Sequence, residues 1–245
     1  MPGTPSFERT VAALGPWWFR FEHHGVSFGG TVERDREKTA WFFECLARSG
    51  APPLRTVLEL GAHEGSHSLQ LAECPSVESV VALEGRRATL ERAAFAKRVF
   101  QDRKIVFRKY DIERLDPADF PEPFDAVFCA GLLYHLPRPW RLIERLPALT
   151  RRLFLDTHYA ASQETAVEGH AGRWFVEGRD PLSGLSSSSF WLTFDDLVRT
   201  LEQNGFAVRW VRDMKEFPKG PRAFLFAESA ERAGGPSSPS PPPDD

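Results

Sequence analysis

The feature that most narrows the possible folds is a rhythm that begins after the Pro52-Pro53 pair: a short apolar run, a turn, a helical stretch, then the same again. Thr56-Val57-Leu58-Glu59-Leu60 reads as a strand running into Gly61, with a helix through Leu69 and Leu71 behind it. Ser79-Val80-Val81-Ala82-Leu83 is a second strand, followed by a helix over residues 86–100, and Ile105-Val106-Phe107 is a third. Residues 124–130 and 152–156 read as a fourth and fifth strand around a helix over 140–149. Short apolar runs that alternate with helices belong to parallel strands covered on both faces. The expected fold class is α/β, a doubly wound Rossmann-like sheet.

Two further runs, 206–211 and 223–227, flank a turn-rich stretch with Pro218 and Gly220, which suits an antiparallel pair at the sheet end. Ahead of them Thr193 and Asp196 stand at capping-box spacing, with Asp in the usual Glu position. Phe194, Leu197, Val198 and Leu201 then fit one helical face, which Asn204-Gly205 ends. The N-terminal stretch is different in kind. Trp17, Trp18, Phe19, Phe21 and Phe28 crowd around Gly25, Gly29 and Gly30, a pattern that suits a lid over a pocket or equally a strap on the core. From about Glu33 a helix with Trp41, Phe42, Cys45 and Leu46 on one stripe runs to Gly50. The expected division is a cap and helix over 1–51, the α/β domain over 52–230, and a tail over 231–245. That tail is too rich in Pro, Ser, Gly and Asp to repay the entropy of ordering.

A formal net charge of −3 offers no basic field, so nucleic acid is a disfavoured partner. No uncharged stretch approaches membrane-spanning length, and the first thirty residues lack a charged start followed by an apolar run. No membrane association and a cytoplasmic location are expected. Cys45, Cys74 and Cys129 lie in apolar surroundings and read as buried reduced thiols.

The chemistry gathers at the strand ends. Glu59-Leu60-Gly61-Ala62-His63-Glu64-Gly65 carries glycines where a ligand meets the carboxyl edge of an open sheet. Glu84 ends the second strand at the interval of a ribose-binding carboxylate, and Asp111 after the third is placed to accept from an adenine amino group. Either acid alone could equally cap a loop. Taken in order, they mark a nucleoside site whose candidate residues are Glu59, Gly61, Ala62, Gly65, Ser66, Glu84, Asp111, Ile112 and Ala130. His63-Glu64-Gly65-Ser66-His67 also matches a zinc protease pattern, which needs both histidines on one helical face. Here the first follows a strand directly and Gly65 weakens any such helix. No metal is expected, and His63 and His67 read as polar residues near the cofactor.

Leu58-Glu59-Leu60-Gly61-Ala62, the acids Glu84 and Asp111, and Phe124-Asp125-Ala126-Val127-Phe128 resemble the successive motifs of class I S-adenosylmethionine-dependent methyltransferases, over about residues 52–229. Gly131-Leu132-Leu133-Tyr134-His135-Leu136 more narrowly resembles the branch that includes tRNA wobble-uridine methoxy/carboxymethoxy-type transferases. The resemblance implies a seven-stranded sheet with one antiparallel strand and S-adenosylmethionine as cofactor. Methyl transfer then needs an aligned nucleophile and, for a hydroxyl, removal of a proton. In such a fold the end of the fourth strand faces the acceptor, which makes Tyr134 and His135 the leading catalytic candidates, His135 as base. His158 after the fifth strand is a second candidate base, and His23 and His24 a weaker third. Arg173, Trp174 and Phe175, with the serines 186–189 and Phe190-Trp191, form an insertion suited to an acceptor pocket, although Trp191 equally suits the core. The expected function is methyl transfer to a small-molecule acceptor, to oxygen ahead of nitrogen. The alternatives are a tRNA-modifying transferase and a non-catalytic S-adenosylmethionine-binding protein.

Overall fold

The computed structural model describes residues 6–178, 180 and 182–229; the tail expected over 231–245 lies outside them. The chain opens with α1 (Phe7–Ala13), a hairpin of β1 (Arg20–His23) and β2 (Val26–Gly29), and α2 (Glu37–Ser49). The alternating stretch then gives β3 (Thr56–Leu60), α3 (Ser66–Ala72), β4 (Ser79–Glu84), α4 (Arg87–Val99), β5 (Ile105–Lys109), β6 (Ala126–Ala130), α5 (Pro139–Ile143) and β7 (Arg152–His158). After these come β8 (Thr165–Val167), β9 (His170–Val176), β10 (Ser188–Leu192), α6 (Phe194–Gln203), β11 (Phe206–Met214) and β12 (Arg222–Ser229).

Seven strands form the main sheet in the order β11-β12-β7-β6-β3-β4-β5. β3 to β7 pair in parallel, and β12 alone runs against the rest, wedged between β7 and β11. Side chains alternate across a strand, so one run of residues serves two cores. Val57, Ala82, Phe128, Phe154 and Phe226 face α2, α3 and the N-terminal hairpin, meeting Phe42, Leu69, Phe21 and Phe28. Leu58, Leu60, Leu83, Cys129, Leu155 and Leu225 face the other way, onto Trp140 and Ile143 of α5 and Leu197 and Leu201 of α6. The first of these layers is rich in aromatics, with the Phe128 and Phe154 rings stacked 4.6 Å apart.

The N-terminal segment is both strap and wall. Its hairpin turns on His24 and Gly25, both at positive φ, as a tight two-residue turn requires. Just past it, a Cβ on Gly30 would lie 2.4 Å from the carbonyl oxygens of Trp17 and Trp18, so only glycine lets the two segments touch.

Several elements differ from their sequence expectation. The helix over 140–149 stops at Ile143 and continues as a single 3-10 turn, Leu146–Ala148, because Pro147 lacks the N–H an α-helix needs. The helix expected from Glu33 begins at Glu37. Thr193 caps α6 by accepting the Asp196 N–H at 3.3 Å, but the Asp196 carboxylate turns to His170 and Arg199 instead of closing the box. The insertion before α6 is a three-stranded antiparallel sheet, β10-β9-β8. Cys45 and Cys129 are buried free thiols, and burial pushes both up to about 12; Cys74 is only half-buried.

Candidate cofactor and acceptor site

The strand order reverses between β3 and β6, and at their carboxyl ends a cavity of about 320 Å³ opens. A doubly wound sheet binds ligands at this switch point, because the loops leaving the two strands part there.

At one end of the cavity stand Gly61, Ala62, His63 and Ser66 from the loop that joins β3 to α3. Glu84 faces them from the tip of β4, 5% exposed. Its Oε2 accepts the His63 N–H at 2.9 Å and its Oε1 the Arg86 N–H at 2.7 Å, which fixes the carboxylate while leaving each oxygen a further lone pair. Asp111 and Ile112 line the same end, as does Ala130 from the tip of β6. Asp111 also serves its own loop, accepting the Glu113 N–H at 3.1 Å. The buried Ser66 Oγ and both His63 ring nitrogens have no partner among the described residues. Burial lowers His63 to about 4, helped by Arg92 and Arg86, so its ring is neutral. Orphaned polar atoms beside a held carboxylate are the donor set that a nucleoside with a polar tail would satisfy.

Two candidates lie behind this wall. The alternation of β3 turns Glu59 away toward α3, where it accepts from Ser68 Oγ, and burial pushes its carboxyl up to about 7. Gly65 shapes the loop from outside: at φ 81°, a Cβ there would come 2.8 Å from the Phe107 ring. The zinc-like pattern is spent otherwise. His63 precedes α3 while His67 lies within it, and Glu64 points at the N-terminal strap. The Glu64 carboxylate, fully buried, accepts the N–H groups of Trp18 and Phe19 at 2.9 Å each and pairs with Arg92 at 2.9 Å. Trp18 and Phe19 are thereby held as one wall of the cavity. Among the described residues no three His, Cys, Asp or Glu side chains are grouped to hold a metal.

At the other end Tyr134 and His135, in the 3-10 turn that follows β6, line the cavity with Lys38 and Arg222. Asp156 at the end of β7 is wholly buried and joins the two cations, taking Arg222 through both carboxylate oxygens (2.5 and 2.6 Å) and Lys38 at 2.9 Å. The Arg222 guanidinium lies 5.5 Å from the centre of the Tyr134 ring. His135 directs Nδ1 at both oxygens of Glu177, 2.9 and 3.0 Å away. A nitrogen facing a carboxylate carries the proton, so the lone pair of the neutral ring is on Nε2, which has no partner among the described residues. Burial lowers the His135 pKa against the opposing pull of Glu177, which keeps the ring neutral at pH 7.

His158 is not on the cavity wall. Its ring stacks on Trp191 at 4.9 Å, its Nδ1 lies 3.1 Å from the carbonyls of Gly220 and Pro221, and its Nε2 meets Arg222 Nη1 at 3.4 Å. Both nitrogens are engaged, so it backs Arg222 and has no lone pair to offer an acceptor. His23 and His24 meet edge-on at the hairpin tip, with His23 against Phe100, and neither lines the cavity. Trp191 is core, 2% exposed.

Sequence reading missed Lys38, Arg86, Glu177 and Arg222. Lys38, Glu177 and Arg222 come from elements outside the β3–β6 stretch that carries the motifs, and Arg86, two residues after Glu84, was read only as the start of a helix. The segment 182–185 was missed as well; it closes the cavity opposite the strap, with Arg86 donating to the carbonyls of Ser183 and Gly184.

Comparison with known proteins agrees with this geometry. A sequence profile described as a methyltransferase domain matches residues 57–152. The N-terminal domain of EvdMO1, crystallised in the presence of SAH and D-fucose, is 30% identical over 91% of this chain and 95% of that one, with a TM-score of 0.77. Against the full EvdMO1 structure the identity is 28%, over 91% of this chain and 46% of that one, with a TM-score of 0.68. Magnesium protoporphyrin IX methyltransferase from Synechocystis PCC 6803, with bound SAM, shares the fold at 17% identity and a TM-score of 0.55, over 94% of this chain and 87% of that one. No curated protein sequence matches. On this similarity the chain belongs to the class I S-adenosylmethionine-dependent methyltransferases.

Proposed function

We propose that the protein methylates a hydroxyl group of a small polar molecule, with His135 as the base. The observation that carries this reading is the neutral imidazole at the cavity wall, its Nδ1 committed to a buried carboxylate and its Nε2 lone pair without a partner among the described residues. An amine acceptor would need only alignment once deprotonated, whereas a hydroxyl must shed its proton as the new bond forms. The presence of D-fucose, a polyhydroxylated monosaccharide, with the EvdMO1 domain supports an acceptor of similar size and polarity.

In this reading Glu84 holds the ribose hydroxyls, the Gly61-Ala62 backbone and Ser66 hold the polar tail, and Asp111-Ile112 flank the adenine. Bound S-adenosylmethionine supplies an electrophilic methyl group on sulfur and leaves as the neutral thioether. His135 Nε2 takes the hydroxyl proton, Tyr134 and Arg222 line the acceptor side, and the strap and the 182–185 segment keep water out. The net charge of −3 supports a small molecule over tRNA.

The test is to incubate the protein with S-adenosylmethionine and, separately, monosaccharides, small amines and bulk tRNA, and to follow methyl incorporation by mass spectrometry. Methylation of an amine or of tRNA, with no hydroxyl acceptor found, would remove the O-methyl reading. Glu84→Ala is expected to weaken S-adenosylhomocysteine binding by roughly a hundredfold, the loss of two hydrogen bonds to a charged group. Calorimetry checks this, and an unchanged Kd would take the ribose away from Glu84.

A further inference from the structure

The carboxylate behind His135 comes from neither the sheet nor its usual loops. Glu177 follows β9 in the inserted hairpin, 42 residues along the chain, and its side chain is 2% exposed. Its Oε2 accepts two donors at once, His135 Nδ1 at 3.0 Å and the backbone N–H of Gly184 at 2.7 Å. Gly184 belongs to the segment that closes the cavity, whose carbonyls also receive the Arg86 guanidinium just beyond Glu84. A chain of contacts therefore runs from the nucleoside carboxylate through the closing segment to the catalytic ring.

We propose that Glu177 is a positioning residue that holds His135 in the Nδ1–H tautomer through the same carboxylate that seats the 182–185 segment, so that closing the cavity and presenting the Nε2 lone pair are one event. This rests on the reading of His135 as base. A carboxylate can only accept, so the ring nitrogen opposite it has to donate, and the other nitrogen has to keep its lone pair. Packing supports the coupling. A Cβ on Gly184 would come 2.8 Å from the His135 carbonyl oxygen, 3.1 Å from the Glu177 carboxyl carbon and 3.2 Å from the His135 Cβ, so the segment packs directly on both residues of the pair. The charged groups that act on the ring are Glu177, Arg86 and Arg222.

Glu177→Gln separates this role from a merely structural one. The glutamine has a single acceptor oxygen, which the Gly184 N–H claims, and its NH2 then turns to Nδ1. Donation from that NH2 moves the ring proton to Nε2 and removes the base. Long-range 1H–15N spectra of the imidazole, recorded without cofactor and with S-adenosylhomocysteine, should show the Nδ1–H tautomer in the wild type and the Nε2–H tautomer in the variant. kcat should fall by roughly a hundredfold, within the range for general-base catalysis, with little change in KM for S-adenosylmethionine. Glu177→Asp, which keeps an acceptor-only group, should restore the wild-type tautomer and part of kcat. An unchanged tautomer in Glu177→Gln overturns the proposal, as does a loss of S-adenosylhomocysteine affinity with kcat preserved. If His135→Ala is itself active, the base reading fails; if it is inactive while Glu177→Gln turns over normally, only the positioning role fails.

Discussion

His135→Ala is expected to lower kcat by roughly two to four orders of magnitude, the range for loss of a general base, while S-adenosylhomocysteine binding stays nearly intact. His135 lines the cavity, and Glu84, proposed to hold the nucleoside, is fixed by the His63 and Arg86 N–H groups and not by that ring. Rate against pH supplies the sign. Only the neutral imidazole can take a proton, and burial moves its titration below the ordinary histidine range. Activity should rise with pH through a limb lying below that range and be flat by pH 7, and the limb should be missing from the residual activity of the variant. His158→Ala is the control: with both nitrogens engaged by carbonyls and Arg222, its loss should leave the limb in place. Stopped assays over a pH series decide between them, and a fully active His135→Ala would show that alignment alone carries the reaction.

The largest effect on stability is expected at Asp156. Removing one partner of a buried ion pair leaves an uncompensated charge, at a cost of about 3–5 kcal/mol. Asp156→Ala strands two, since Arg222 and Lys38 are only 11% and 22% exposed at their side chains. Burial alone would raise the Asp156 carboxyl, but Lys38 and Arg222 outweigh it and hold the pKa below the ordinary aspartate value. A depressed carboxylate contributes stability above its unfolded pKa and loses it as pH falls through the folded one. Urea unfolding at pH 7 should show the full difference between wild type and variant, and the gap should narrow in acid below the ordinary aspartate range. A difference under about 1 kcal/mol at pH 7 would class the cluster with solvent-screened surface pairs.

The sheet was legible because its signal is local: apolar runs of strand length, each followed by a turn and a helix, need no distant partner to be recognised. The same locality made the Gly61 loop, Glu84 and Asp111 readable as one site. Glu59 was assigned to that site by adjacency, yet strand alternation places it opposite Leu58 and Leu60, beneath α3. His158, expected just after a strand over 152–156, is the last residue of β7, and the closing strand β12 brings Arg222 and the Gly220 and Pro221 carbonyls onto its ring. Glu177 and Arg222 reach their partners across 42 and 66 residues, distances over which no periodicity operates. The insertion was read as a pocket rim without strands, because its serine run masks the alternation of β10. Glu64 shows the reverse case, a residue whose motif was recognised and whose use was set by tertiary contact with the strap.

The cavity walls have a bearing on recombination between relatives. Residues 57–152, matched by the methyltransferase profile, carry Glu84, Asp111, Ala130, Tyr134 and His135. Trp18, Phe19, Lys38, Glu177, the 182–185 segment and Arg222 all lie outside it. A chimera with crossovers at 57 and 152 would move the proposed cofactor contacts and the proposed base into a host that still supplies its own strap, its own Lys38 and Arg222 positions and its own partner for His135. Acceptor choice should therefore follow the host and not the donor. A crossover that moves His135 intact must carry the β9–β10 hairpin with it.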